Sequence, residues 1–289
     1  SWEDDSLYAF FDAGLFGNAA SHEDRLQFGF SAFGETFLSD MGRSAYSDQA
    51  IGQYFATTQA HNCLLVDGVG QNVRSEGPGA WVSRSPLEWP SSVDEYVKWA
   101  QATFDGPWLA RKSLQARWTR RVAFAPPSGF IPGCCVISDR VEGEGTHRID
   151  QLLHFLPGEA SVDRDSNRIY FLRNAAQLAV FIFADEPLDI SIAEGRESPF
   201  WGWFAPRLGV LEPAPSVRIT GSADLPVVRH MLLVPYRLGE PLPVLSARIE
   251  ENRVVCETAG GMLEVPVEFW EPEENEGDDT PSTLPMPRQ

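Results

Sequence analysis

The chain has 289 residues, of which 43% are hydrophobic and 11% aromatic. A chain of this length and composition can bury a large core, so a mainly disordered protein is excluded. The formal net charge of −18 argues against a nucleic acid as partner. No apolar run of about 18 residues occurs, and the sequence therefore predicts no membrane-spanning helix. No signal peptide is visible, and the start at Ser1 without a Met is typical of a piece cut from a longer protein.

A β-hairpin is predicted near the N-terminus. Leu26, Phe28 and Phe30 alternate with polar or small residues, which is the pattern of a strand with one buried face. Residues 33–36, with the sequence FGET, then provide a turn, and residues 36–40 provide the returning strand. Residues just before the first strand should therefore lie beside residues just after the second, at the open end of the hairpin.

The rest of the chain is also mostly β in pattern. Residues 4–13 allow a strand or a short turn, and residues 43–60 allow a loop or a short helix. Further strand-like runs occupy residues 61–68, 81–89, 96–104, 113–125, 132–143, 146–156, 160–172, 178–184, 188–195, 215–223, 227–236, 244–259 and 262–270. Turn signals separate these runs, and no alternation of strands with long helices is seen. The sequence therefore predicts an all-β fold, a large antiparallel β-sandwich.

Three side chains at the ends of these runs have the chemistry of a metal site. His22 precedes the first strand of the hairpin, Asp40 follows the second, and His61 begins the next predicted strand. Imidazole nitrogen and carboxylate oxygen suit zinc and other divalent transition metals, and three protein ligands leave one position for water. Zinc is favoured over calcium because imidazole is a poor ligand for a hard cation. The alternative is a hydrogen-bonded cluster without metal.

The motifs around these residues resemble the C-terminal domain of the heparinase II/III-like polysaccharide lyases. The positions that match are His22, Asp24, Leu26, Phe28, Asp40, Gly42, Tyr54, Ala60, His61, Asn62, Val66, Asp67, Gly68 and Gln71. A weaker likeness continues through residues 118–143, 147–158 and 227–235. The resemblance implies a structural metal, usually zinc, held by the residues at the positions of His22, Asp40 and His61.

The resemblance also suggests roles for the neighbours of these ligands. Asp24 is expected to orient an imidazole from outside the ligand set, the alternative being a solvated turn carboxylate. Tyr54 is the candidate acid or base, and a packed surface-loop tyrosine is the alternative. Asn62 is expected to fix the local backbone. Arg43 and Gln71 are candidates for the second shell or for substrate contact.

Two positions depart from the family pattern. The first His of the family's His-x-His pair, which reaches the substrate in several lyases, is Ala20 here. The Thr after Ala-His-Asn is Cys63, which can be a fourth metal ligand or, in the commoner use of a free thiol, part of the core.

Charge and cysteine content leave further points open. An acidic polysaccharide would need a local basic patch, for which Arg25, Arg43, Arg74 and Arg84 are candidates, although scattered surface arginines are the alternative. A bridge from Cys134 or Cys135 to Cys256 is possible and cannot be deduced.

Seven acids lie between Glu268 and Asp279. We expect a domain over residues 1–270 and a disordered acidic tail over residues 271–289.

The function implied by the resemblance is β-elimination on a uronate-containing polysaccharide. In the family, most of the catalytic apparatus belongs to an α-helical toroid domain that precedes the sandwich. That domain is expected in the parent protein, and the isolated chain is expected to lack lyase activity. The family implies a periplasmic or secreted protein. The alternatives are a non-catalytic, metal-stabilised structural module and a glycan-binding module without chemistry.

Overall fold

The structure is a computed structural model that describes residues 6–14, 22–43, 49–72, 90–93, 97–108, 114–127, 129 and 133–271. Within these residues the chain forms 22 β-strands, numbered β1 to β22 along the chain, and one α-helix, α1 (Gln49–Phe55). A 3-10 helix (Thr58–Ala60) follows α1. The predicted all-β fold is confirmed. Among the described residues, no helix has the length and apolar character that crossing a membrane requires.

The largest sheet has eight antiparallel strands. Their spatial order is β10 (Glu159–Asp163), β11 (Arg168–Arg173), β12 (Ala176–Phe183), β19 (Val227–Arg237), β8 (Cys134–Glu142), β7 (Arg117–Ala125), β6 (Lys98–Phe104) and β5 (Ser91–Val93). The central strands have continuous apolar runs because both of their faces are covered. In β8, Cys135 and Ile137 face one core, whereas Cys134 and Val136 face another.

Two smaller sheets cover one face of the eight-stranded sheet. The first contains β1 (Tyr8–Phe11), β2 (Phe28–Ala32) and β3 (Glu35–Leu38), and the second contains β13 (Asp189–Ala193), β18 (Ser216–Asp224), β9 (Thr146–His154) and β4 (Leu64–Val66). Phe28, Phe30 and Phe37 join Leu153 and Val217 in the main core against the eight-stranded sheet. This arrangement is the predicted antiparallel β-sandwich.

A third layer covers the opposite face of the eight-stranded sheet. It consists of β20 (Val244–Glu250), β21 (Arg253–Thr258) and β22 (Gly261–Pro266). Val254, Cys256 and Val265 pack against Val136 and Leu232 of the central sheet. The eight-stranded sheet therefore separates two hydrophobic cores, one on each face. The second core was not predicted from the sequence.

Most predicted strand positions are confirmed, with a few differences. The predicted strand at residues 81–89 lies outside the described residues, as do Arg74, Arg84, Ala20 and the tail from residue 272. The four cysteines are buried free thiols. Five short strands were not predicted. One is β5, and the other four form two hairpins: β14 (Arg196–Glu197), β15 (Phe200–Trp201), β16 (Trp203–Arg207) and β17 (Val210–Pro213).

Candidate metal centre

The hairpin of β2 and β3 places Asp40 beside the loop that carries His22. The turn residues Phe33 and Gly34 have φ angles of 56° and 75°. Positive φ at both turn residues matches the right-handed twist of the flanking strands and closes a tight hairpin. Asp40 comes two residues after β3 ends, and the loop from His22 leads into β2, so both reach the open end as predicted.

Leu26 is not part of the β2 strand, contrary to the alternation read from the sequence. Its φ of 69° turns the backbone away from an extended conformation, and regular pairing begins at Phe28. The backbone N–H of Leu26 donates to the carbonyl oxygen of Asp12 at 2.7 Å. The Leu26 side chain is fully buried, but it belongs to the cluster of Trp108 and Trp118 rather than to the main core.

The structure brings the three predicted ligands together and adds a fourth residue. His22, Asp24, Asp40 and His61 each offer one ligand atom, and these atoms all lie within 4.8 Å of one another. His61 Nδ1 is 3.5 Å from Asp40 Oδ2, and the ring centroids of His22 and His61 are 5.3 Å apart. Two ligands bound about 2.1 Å from a tetrahedral zinc ion lie about 3.4 Å apart, which agrees with the His61–Asp40 separation.

The hydrogen bonds of His61 fit a metal ligand. His61 is fully buried, and its Nε2 lies 3.1 Å from the carbonyl oxygen of Phe55. A carbonyl can only accept, so Nε2 carries the proton and Nδ1 keeps its lone pair. Nδ1 is buried and makes no hydrogen bond among the described residues. A buried nitrogen with a free lone pair, facing a carboxylate, is a suitable donor for a cation.

The two carboxylates of the cluster differ in their ionisation. Burial raises the pKa of Asp24 to about 6, because the attraction of His61 only partly offsets it. Burial also acts on Asp40, but the neighbouring His61 ring and the backbone N–H of Gly42 outweigh it and hold the pKa of Asp40 at about 2. That N–H donates to Asp40 Oδ1 at 2.7 Å and leaves Oδ2 directed at His61.

Gln27 also belongs to this site, although it was not among the predicted site residues. Its Nε2 lies 3.2 Å from Asp24 Oδ2 and 3.4 Å from Asp40 Oδ2, so one amide bridges the two carboxylates. Its position within the motif that begins at His22 was a signal that could have identified it. The bridge keeps two like charges at a fixed separation, as expected of groups that orient metal ligands from outside.

Asn62 and Gln71 fix the backbone around the cluster. Asn62 Nδ2 donates to the carbonyl oxygens of Phe28 at 2.8 Å and Ser39 at 3.1 Å. Gln71 Nε2 donates to the carbonyl oxygen of Arg25 at 2.7 Å, and Gln71 Oε1 accepts from the Arg25 backbone N–H at 3.1 Å. Both side chains are buried, and their contacts are with the backbone of the loops that carry the ligands.

Cys63 and Arg43 do not belong to the ligand cluster. The buried Sγ of Cys63 lies 3.6 Å from the carbonyl oxygens of Asp24 and Arg25, directed into the core. Of the two uses open to Cys63, the core position is therefore the one observed. Arg43 is exposed and directly follows Gly42 in the chain.

Tyr54 lies on α1 in a nonpolar environment beside the β14–β17 hairpins. Its ring meets those of Phe55 and Phe200 edge to face, with centroids 5.3 and 5.0 Å away. Burial raises the pKa of Tyr54 well above its usual value, and the opposing effects of Arg218 and the Gly202 backbone are smaller. The phenol is therefore protonated at neutral pH, a state that fits a proton donor and not a base.

The remaining histidines lie outside the cluster. His154 is fully buried, with Nδ1 2.9 Å from Ser216 Oγ, and His230 Nδ1 is 2.8 Å from Ser138 Oγ. Both histidines are therefore hydrogen-bonded residues of sheet strands, His154 on β9 and His230 on β19.

The fold is an antiparallel β-sandwich that carries this cluster of histidines and carboxylates. The sequence profile of the family described as "Heparinase II/III-like, C-terminal" matches residues 1–243. The chain belongs to this family. A search of curated protein sequences found no match.

Solved structures with a similar fold include heparan sulfate lyases. A mutant of heparan sulfate lyase HepC from Pedobacter heparinus is 16% identical, with a TM-score of 0.72 over 94% of this chain and 41% of that chain. Another structure of HepC is 15% identical, with a TM-score of 0.65 over 92% and 43%. A structure described as Heparinase III is 16% identical, with a TM-score of 0.66 over 91% and 40%. The chain thus spans about two fifths of the length of these proteins.

Proposed function

We propose that this chain is the sandwich part of a polysaccharide lyase that acts by β-elimination on a uronate-containing polysaccharide. We further propose that it holds a structural Zn²⁺ through His22, Asp40 and His61. The observation that carries the metal proposal is the buried Nδ1 of His61, which has no hydrogen-bond partner within the described part of the chain and faces Asp40 Oδ2 at 3.5 Å. The family and the fold carry the lyase proposal.

The ion would join three segments that are distant in sequence. His22 lies in the loop before β2, Asp40 follows β3, and His61 follows the 3-10 helix. Binding energy at a site that exists only in the folded chain adds directly to folding stability. Asp24, bridged to Asp40 by Gln27, is proposed to orient the ligands from outside the ligand set.

An eliminative lyase must neutralise the uronate carboxylate, remove the C5 proton and protonate the departing O4. Tyr54 is the candidate of this chain for the proton donor, and its raised pKa keeps the phenol protonated at neutral pH. Arg43 is an exposed cation near the cluster that could meet a carboxylate. We assign the remaining catalytic groups to a preceding α-helical toroid domain, because the chain spans only about two fifths of its structural relatives.

A non-catalytic module is the second candidate function, and the burial of Tyr54 favours it. The Tyr54 side chain is 9% exposed and packed among aromatic rings, which limits its reach to a bound sugar. In that case the metal-stabilised sandwich would brace another domain or bind glycan without chemistry.

The absorbance of the unsaturated uronate product distinguishes the two candidates. The parent protein and the isolated 289-residue chain would each be incubated with heparan sulfate and alginate. We expect product from the parent protein and none from the isolated chain. A parent that retains these glycans without forming product on any polyuronate would support the non-catalytic module and contradict the lyase proposal.

A further inference from the structure

A buried ion pair lies in the interior beneath the metal centre. Arg120 on β7 and Asp139 on β8 are both almost fully buried. Arg120 Nε donates to Asp139 Oδ1 at 2.7 Å, and Nη2 donates to Oδ2 at 2.8 Å. Two parallel hydrogen bonds of this kind fix the plane of a guanidinium group as well as its position.

Further donors hold Asp139 in place. Trp118 Nε1 donates to Asp139 Oδ1 at 2.8 Å, and Gln151 Nε2 donates to Oδ2 at 2.7 Å. Burial by itself would raise the pKa of Asp139, but the charge and hydrogen bonds of Arg120 outweigh it and the pKa is lowered. The carboxylate therefore stays ionised, and its fixed position also fixes the position of the guanidinium group.

The remaining nitrogen of Arg120 connects two ligand-bearing segments. Nη1 donates to the carbonyl oxygen of Leu26 at 2.8 Å and to that of Asn62 at 2.5 Å. Leu26 ends the loop that carries His22 and Asp24, and Asn62 directly follows His61. One nitrogen atom thus sets the separation of two segments that lie 36 positions apart in sequence, since 62 − 26 = 36.

The backbone at Leu26 needs such support. A bulky residue with a φ of 69° occupies a left-handed conformation that L-residues rarely adopt. The carbonyl oxygen that this conformation presents is the acceptor of Arg120 Nη1. A strained turn held by a buried cation is expected where the positions of nearby ligand residues must be fixed.

We infer that Arg120 is a positioning residue of the metal centre, which holds the His22–Asp24 loop and the His61 segment at the separation that the ion requires. This inference rests on the proposed metal site. Arg120 does not touch the ion; it acts through the carbonyl oxygens of Leu26 and Asn62.

The chain offers a matched control in a second buried arginine. Arg229 on β19 is 1% exposed, and its Nε donates to Glu186 Oε1 at 2.6 Å. Its Nη1 donates to the carbonyl oxygen of Ile149 at 3.1 Å, in β9. Arg229 is therefore a buried, ion-paired arginine with carbonyl contacts, but the acceptors recorded for it lie outside the ligand-bearing segments.

The test compares Arg120→Lys with Arg229→Lys in the full chain. Lysine keeps the positive charge, but its single nitrogen cannot serve a bidentate carboxylate and two carbonyl oxygens together. The zinc dissociation constant would be measured by competition with a chromophoric chelator, and thermal stability would be measured on the metal-free proteins. We expect a dissociation constant about 10- to 100-fold higher for Arg120→Lys and unchanged within about 3-fold for Arg229→Lys. Both variants should lose thermal stability.

The absorption spectrum of the Co²⁺-substituted protein provides a readout of geometry. Its ligand-field bands should change in Arg120→Lys and stay as in the wild type in Arg229→Lys. The inference would be overturned if a folded Arg120→Lys variant bound zinc as tightly as the wild type and had an unchanged spectrum. An equal loss of zinc affinity in both variants would also overturn it. A wild-type chain that binds no zinc would overturn the metal site itself and the inference with it.

A second variant covers the case in which Arg120→Lys does not fold. The double replacement Arg120→Met with Asp139→Leu removes both charges, and exchanging a buried ion pair for apolar groups of similar volume is often tolerated. We expect this protein to fold and to bind zinc more weakly than the wild type. Wild-type zinc affinity in the folded double variant would contradict the inference.

Discussion

The side-chain oxygen of Asn62 accepts a hydrogen bond from the backbone N–H of His154 at 2.6 Å. Since the amide nitrogen of Asn62 also donates to Phe28 and Ser39, one side chain joins β2, the end of β3 and β9. These strands belong to the two smaller sheets that cover one face of the eight-stranded sheet. The residue beside His61 therefore connects the candidate metal centre to the strands of the sandwich.

Replacing Asn62 with alanine should destabilise the chain strongly. The substitution leaves a buried N–H and buried carbonyl oxygens without their partner, and each such group costs about 1–3 kcal/mol. We expect the free energy of unfolding to fall by at least about 2 kcal/mol, measured by urea denaturation of the metal-free protein. Asn252 is exposed in a turn, and Asn252→Ala is the control that should change little. An equally small effect of both changes would contradict the role given to Asn62.

Zinc should stabilise the wild-type chain against heat. A ligand that binds only the folded state adds about 2.7 kcal/mol at a concentration 100 times its dissociation constant, and a chelator should reverse the gain. His22→Ala and Asp40→Asn should lose this zinc-dependent rise in Tm, whereas His147→Ala should keep it, because His147 pairs with Asp67 outside the cluster. A zinc-dependent rise that survives both ligand changes would place the ion elsewhere.

Tyr54→Phe separates a packing role from a chemical one. The hydroxyl is buried and makes no hydrogen bond of normal geometry with any described residue, so its loss should leave the free energy of unfolding within about 1 kcal/mol. If the phenol donates the proton, the parent lyase should lose about 10²- to 10⁴-fold in rate while remaining folded. A folded Tyr54→Phe variant with the full rate of the parent would remove Tyr54 from the catalytic residues.

The stability of the chain should depend on pH through His230. Burial lowers the pKa of His230 to about 4, against a partial opposite effect of Asp139 and Asp185, from an ordinary value of 6.5. The unfolded chain therefore binds a proton at this site at higher pH than the folded chain. The stabilising effect of neutral His230 is fully present above about pH 6.5 and is lost as the pH falls toward 4.

Urea denaturation across that pH range tests the expectation. One such proton contributes a slope of up to about 1.4 kcal/mol per pH unit. His230→Gln should show a smaller loss of stability than the wild type between pH 6.5 and 4, whatever its absolute stability. Identical slopes in both proteins would mean that His230 titrates alike in the folded and unfolded states.

The hairpin at the metal centre was predictable because its signals are local. The turn at Phe33 and Gly34 and the alternation of Phe28 and Phe30 are enough to place Asp40 beside the His22 loop. The positive φ of Leu26 was not predictable, because its cause is the acceptor on Asp12 and the donor on Arg120, which lie far away in sequence. Pattern reading has no means of finding such a long-range contact.

The third layer could be predicted only in part. The apolar runs of β8, β12 and β19 indicate strands buried on both faces. The sequence does not show which strands cover the second face of the eight-stranded sheet. The alternation of β21 indicates one buried face but not the strands against which that face packs. The short strands β14 to β17 were missed because Gly202, Gly209 and prolines interrupt them and leave too few residues for a period to show.

The third layer lies beyond the end of the family match, although it is part of the folded unit. The family profile ends at residue 243, and β20 begins at Val244. A fragment cut at that point would keep the matched residues but expose Val136, Leu232 and Val234 to water. Such a nonpolar patch on the face of the sheet favours self-association, so the fragment should form aggregates even if His22, Asp40 and His61 are intact. Recombinant expression should therefore extend at least through Trp270, whose backbone N–H donates to the Gln101 side chain at 2.9 Å.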